Sequence, residues 1–214
     1  SSDLKLTAAL LIISAAAVFC VAVIPEAKAP VNRILMTLLP YFVFIMYILN
    51  RGSTITQAMF FNCDHSMLSY RFFRQPDAIL SLFKARLKTM IVINLVPSLV
   101  IAALLPLMLF VSGGTDTPIN YILLPVSIIF MSVFFSVHYL VIYYLLQPYD
   151  IHMQAKSHTY SFVCAVTYFI CYMFIRIQAP TLYFAAGVIM FTIIYITLSL
   201  YLAYKFAPKT FKLK

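Results

Sequence analysis

The chain has 214 residues, of which 64% are hydrophobic and only 10% charged, and its formal net charge is +9. A water-soluble domain carries roughly 25% charged residues, so that class is excluded. The apolar residues run in continuous blocks and do not alternate with period two, which excludes a β-barrel and leaves a polytopic helical bundle.

Crossing a hydrocarbon core of about 30 Å takes roughly 20 helical residues. In chain order, the apolar blocks predict a single all-α transmembrane domain over 1–214, with six spans. These lie at about 6–24, 34–49, 89–111, 122–146, 160–175 and 182–203. The first run lacks a strongly basic leader and a small-residue cleavage pattern, so it is expected to be a retained span. Pro97 and Pro106 in the third span, and Pro125 near the start of the fourth, are expected to kink their helices. Tyr143 and Tyr144, near the inner end of the fourth, read as interfacial aromatics.

Basic residues set the orientation. Lys5, Arg51, Arg71, Arg74, Lys84, Arg86, Lys88, Lys156, Lys205, Lys209, Lys212 and Lys214 fall on one side of the six-span plan. Only Lys28, Arg33 and Arg176 fall on the other, and a bias of twelve to three places both termini in the cytoplasm. The positive charge is accounted for by anionic lipid headgroups, so no nucleic acid is implied. The expected location is the cell membrane. The four cysteines are dispersed and suggest no disulfide framework.

The polar segment 50–88 is the one long interruption between apolar blocks. Asp64 is placed to cap a short amphipathic helix, HSMLSYRFFR, with Met67, Leu68, Phe72 and Phe73 apolar and Arg71 and Arg74 charged. Gln75-Pro76 breaks the chain, and Asp77 is placed to cap a second helix, AILSLFKARLK, that runs into the third span.

This arrangement resembles the membrane subunits of ATP-binding-cassette (ABC) exporters, in the six-span class with a coupling helix between spans two and three. The residues that carry the resemblance are Asp64, Met67-Leu68, Pro76, Ile79, Lys84 and Arg86. It implies a permease subunit that is not itself an enzyme, paired with a second permease subunit and surrounded by membrane lipids. A separate ABC ATPase would supply ATP and Mg, and the sequence has no Gly-x-x-x-x-Gly-Lys-Ser/Thr loop of its own. Asp64, Met67, Leu68, Arg71, Phe72 and Arg74 are the expected ATPase-coupling residues. Other classes compatible with the composition are a stand-alone channel or secondary carrier, and a non-transporting scaffold or immunity protein.

No catalytic, cofactor or metal site is expected in this chain. His138 is the one ionisable side chain well inside a span and is the candidate intramembrane polar site, either functional or a neutral hydrogen-bonding partner of a neighbouring helix. Asp150, His152, Met153 and His158 match no compact zinc spacing, and the triplet Cys63-Asp64-His65 is too tight in sequence to face one ion.

Overall fold

The structure, a computed structural model, describes residues 2–37, 39–68, 75–149 and 157–211. Among them the regular elements are helices. They are α1 (Ser2–Val23), α2 (Pro25–Thr37), α3 (Tyr41–Leu49), α4 (Gly52–Met59), a π-helical turn (Phe60–Asp64) and the short α5 (His65–Met67). After these come α6 (Pro76–Val111), α7 (Asn120–Leu146), α8 (His158–Met173), a 3-10 turn (Phe174–Arg176) and α9 (Thr181–Thr210).

Among the described residues, four helices are long and apolar enough to cross a membrane: Pro76–Val111, Asn120–Leu146, His158–Arg176 and Thr181–Thr210. They contain the third to sixth expected spans. A fifth crossing arises if α2 is taken together with the helical run Tyr41–Met67, which is bent from it by 81°. The expected second span therefore has different bounds. Pro40, inside 34–49, has no N–H to continue a helix from α2, and it suits the position just before a new helical turn. The run that starts at Tyr41 continues past Leu49, so the first part of the polar segment is helical rather than a loop. In α1 the apolar stretch is Thr7–Val23, shorter than the four long helices. The helix α6 passes through both Pro97 and Pro106 as one element.

The chain divides into two compact units. The first holds Ser1–Leu49, Leu95–Ser132 and Cys171–Thr192. Its interior is aliphatic, with Leu39, Leu105, Leu109, Leu124 and Ile128 fully or nearly fully buried. Hydrogen bonds close its ends. Asn32 donates to the Gly114 carbonyl at 2.7 Å, and Thr181 Oγ1 donates to the Met36 carbonyl at 2.8 Å. Gly113 and Gly114, at φ 120° and 77°, end α6 where a side chain would be strained. The Gly114 amide donates back to Leu109 and the Gly113 amide to Phe110, the paired pattern of a Schellman cap.

The second unit holds Asn50–Asn94, Val133–Ile170 and Ile193–Lys214. Its core is more aromatic: Phe60, Phe83, Phe135, Tyr143 and Tyr144 are all fully buried. On α6 the buried side chains Ile79, Phe83, Arg86, Met90 and Asn94 recur at spacings of three or four, which is one face of a helix. On α9 and the residue after it, the buried series Ser199, Ala203, Ala207 and Phe211 repeats every four residues. Its small members permit close approach of a neighbouring element.

Gly52 opens α4 against α7. A Cβ built on it would meet Tyr139 Cβ at 2.4 Å, and that atom is fixed to its own backbone. Gly52→Ala is therefore expected to destabilise the folded chain by roughly 1–3 kcal/mol through overpacking. Gly187→Ala is the control, because a Cβ there meets nothing within 4 Å. Replacing a mid-helix glycine stabilises by about 0.5–1 kcal/mol. Thermal unfolding of the two variants in lipid nanodiscs should move in opposite directions.

Candidate functional site

The π-helical turn Phe60–Asp64 inserts one extra residue into a helical turn, and it leaves Phe60 and Asp64 both buried. Asp64 is 1% exposed. Its carboxylate does not cap the following helix, as the sequence suggested, for no side-chain cap bond forms there. It pairs instead with Arg86. Arg86 Nη1 donates to Asp64 Oδ2 at 2.7 Å and Nη2 donates to Oδ1, a two-pronged charge-assisted contact. The Tyr143 hydroxyl donates to the same Oδ2, and Arg86 Nη1 also donates to the Tyr144 hydroxyl at 3.0 Å.

Around this pair lies a dense aromatic shell. Phe83 meets Tyr144 edge-on at 5.2 Å between ring centroids. Phe211 stacks on Tyr144 at 4.3 Å and 11° and meets Tyr143 edge-on at 5.3 Å. Tyr149 stacks on Phe60 at 5.0 Å and 27°. Burial pushes the Tyr149 phenol above its ordinary pKa, and a hydrogen bond with Thr56 pulls partly the other way. Thr210 Oγ1 lies 3.1 Å from both the Tyr144 carbonyl of α7 and the Phe206 carbonyl of its own helix, and shares its one proton between them. The void beside Asp64, bounded by Met67, Leu68, Ile79, Leu82 and Phe211, is only about 10 Å³. That is at most the space of one water molecule.

These placements revise three expectations. Asp64 faces inward and is bonded to Arg86. Arg86, counted above among the basic residues of the segment, is 8% exposed and lies on the apolar face of α6 rather than at a lipid surface. Tyr143 and Tyr144 are not interfacial, because both are completely buried. Asp77 falls in the first turn of α6, which opens at Pro76, and its negative charge suits the positive end of the helix dipole.

Of the other coupling candidates, Met67 is half-buried and Leu68 is buried. Arg71, Phe72 and Arg74 lie outside the described residues, as do Asp150, His152 and Met153. His158 is exposed at the start of α8. Among the described residues, no three His, Cys, Asp or Glu side chains converge on one point.

His138 sits at a junction of α7, α8 and α9. Its Nδ1 is 2.8 Å from the Tyr195 hydroxyl and its Nε2 is 3.0 Å from Thr167 Oγ1. The single Thr167 hydroxyl proton is already given to the Val163 carbonyl at 2.8 Å, so Thr167 must accept from His138 Nε2–H. Nδ1 then accepts from Tyr195. Both ring nitrogens are engaged.

A further polar contact was not foreseen. The helical run is interrupted at Asn50–Arg51, and Asn94 Oδ1 of α6 accepts from the freed Arg51 amide at 3.0 Å. Asn94 Nδ2 in turn donates to Ser136 Oγ of α7 at 2.9 Å. Asn50 Oδ1 takes the Gly52 amide at 2.8 Å.

The sequence does contain a signal for Arg86. It follows Phe83 by three residues and Ile79 by seven, so it shares their helix face and needs an acidic partner there. The chain has only six acidic residues from which to draw one. No protein-family model, no curated protein and no solved structure matches this chain.

The described polar groups of the cluster satisfy one another, so the arrangement holds parts together. Tyr143→Phe, which removes one donor from a buried carboxylate, is expected to cost roughly 1.5–3 kcal/mol in thermal or denaturant unfolding. His138→Leu should cost about 1–3 kcal/mol by removing the two hydrogen bonds that tie α7 to α8 and α9. His138→Gln, which can both donate and accept, should cost less than His138→Leu in the same measurement.

Proposed function

We propose that this chain is the membrane-spanning permease subunit of an ATP-driven ABC exporter, with six crossings and both termini in the cytoplasm. In this reading two permease subunits act with two copies of a separate ATPase in the cell membrane. Segment 50–88 is the part on which the ATPase pushes. The reading is supported by the resemblance carried by Asp64, Met67-Leu68, Pro76, Ile79, Lys84 and Arg86. It is also supported by twelve of the fifteen basic residues lying on one side of the six-span plan.

The observation that carries it furthest is the Asp64–Arg86 pair. A segment that passes force to transmembrane helices must be fixed to them more firmly than a solvated loop is. Asp64 closes the π-helical turn of the segment, while Arg86 and Tyr143 belong to α6 and α7. Displacement of the turn therefore displaces both helices or breaks a buried ion pair. The outward side chains of the turn and its neighbours, Gln57, Asn62, Cys63 and Ser66, are uncharged and exposed. A low charge density is what the centre of a protein-docking surface requires.

The test is expression of the tagged chain in its native cell, followed by purification in mild detergent and a search of the eluate for an ABC ATPase. The ATPase is expected in the eluate. Ser66→Arg, which places a charge on the exposed face without touching the buried pair, should weaken the association by about tenfold or more (about 1.4 kcal/mol). Recovery of the chain free of any ATPase, with Ser66→Arg altering only attachment to anionic liposomes, would identify the segment as a lipid-surface element and defeat the exporter reading.

A further inference from the structure

Three irregularities of the chain meet at one place in the second unit. The first is the π-helical turn Phe60–Asp64. The second is Gln147, the residue after α7, which has φ 38° and is the one non-glycine among the described residues in the left-handed region. The third is the Gln147 side chain, which is 1% exposed and whose Oε1 and Nε2 both lack a hydrogen-bond partner among the described residues. A left-handed glutamine costs free energy, and so does a buried carboxamide with neither end bonded.

Such costs persist only where neighbours over-determine the conformation. Here the neighbours are known. Four residues before Gln147, Tyr143 bonds Asp64; two residues after it, Tyr149 stacks on Phe60. Tyr149 also packs at 6.1 Å from Tyr143. Gln147, with its left-handed backbone, thus lies between two tyrosines that hold the two ends of the same π-helical turn. The cost of that conformation is offset by the ion pair and the ring stacking.

We infer that the Asp64 cluster is a spring-loaded latch, in which strain at Gln147 opposes the grip of Tyr143 and Tyr149 on the Phe60–Asp64 turn and lowers the cost of releasing it. The inference deepens the coupling role proposed above and takes its functional meaning from it. A transmitting segment has to let go and re-seat in each cycle, and an internal strain of this kind keeps the seated state from becoming a trap. The strain itself is a property of the isolated chain, so its test needs no partner.

The test uses the full chain in lipid nanodiscs, without ATPase, and two substitutions. Gln147→Gly removes both the backbone strain and the orphan carboxamide. Gln147→Leu removes only the carboxamide. Amide hydrogen exchange of residues 60–68, read by mass spectrometry, reports opening of the turn. Both variants are expected to slow that exchange, Gln147→Gly by on the order of tenfold and Gln147→Leu by less, and both should raise the unfolding temperature. Faster exchange, unchanged exchange or a lower unfolding temperature in Gln147→Gly overturns the latch. Loss of stability in Gln147→Leu alone shows that the carboxamide has a partner, and it overturns the latch as well. Neither result bears on whether an ATPase binds, which copurification decides separately.

Discussion

The buried pair between Asp64 and Arg86 is the interaction on which the second unit depends. Bringing two charges out of water costs several kcal/mol per ion, and the return depends on geometry and on extra hydrogen bonds. Both conditions are met: Arg86 reaches the carboxylate with two nitrogens, Tyr143 supplies a third donor, and Tyr144 receives from the guanidinium. The tyrosines could not fill these roles from a solvated position. Phe211, just beyond α9, stacks on Tyr144 and meets Tyr143 edge-on, covering both rings. Removing either charge would leave the other stranded, so the pair fixes the register of the turn against α6 more strictly than apolar packing does.

The same logic recurs at other polar groups on the apolar helices. Within the second unit Asn94 joins α6 to Ser136 of α7; within the first, Ser98 of α6 meets Ser132 of α7 at 2.9 Å. Each such bond is modest in hydrocarbon, of order 1 kcal/mol, but an unpaired partner would cost more. His138 extends the rule to three helices. Its two nitrogens tie α7 to α8 and α9 without a carboxylate, which accounts for the absence of any acidic residue near it in sequence.

Much of the helical plan was legible from residue order. Apolar length alone located α7, α8 and α9 to within a few residues, except that α9 runs on past 203 to Thr210, and it located the membrane portion of α6. Length failed at the second span, where Pro40 interrupts an apolar block that hydropathy treats as continuous. The site was less legible. Counting Lys and Arg treats every basic residue as a surface charge, and so places Arg86 with Lys84 and Lys88. Helix periodicity separates them, since Lys84 and Lys88 are exposed while Arg86 shares the buried face of Phe83 and Met90. The identity of its partner was beyond periodicity, because Asp64 sits on a π-helical turn whose extra residue shifts the phase. An aspartate preceding a short amphipathic run has the sequence of a cap, and only the third dimension shows it turned the other way.

Attachment of the π-helical turn to α6 requires that Asp64 and Arg86 interact as strongly as their geometry implies. The direct measurement is a double-mutant cycle on unfolding in nanodiscs, with Asp64→Asn, Arg86→Gln and the two combined. Each single change should cost roughly 3–5 kcal/mol, and the double change should cost clearly less than their sum, with a coupling of at least about 2 kcal/mol. Costs that simply add would show that the two residues do not share one buried pair, and would contradict the attachment of the segment to α6.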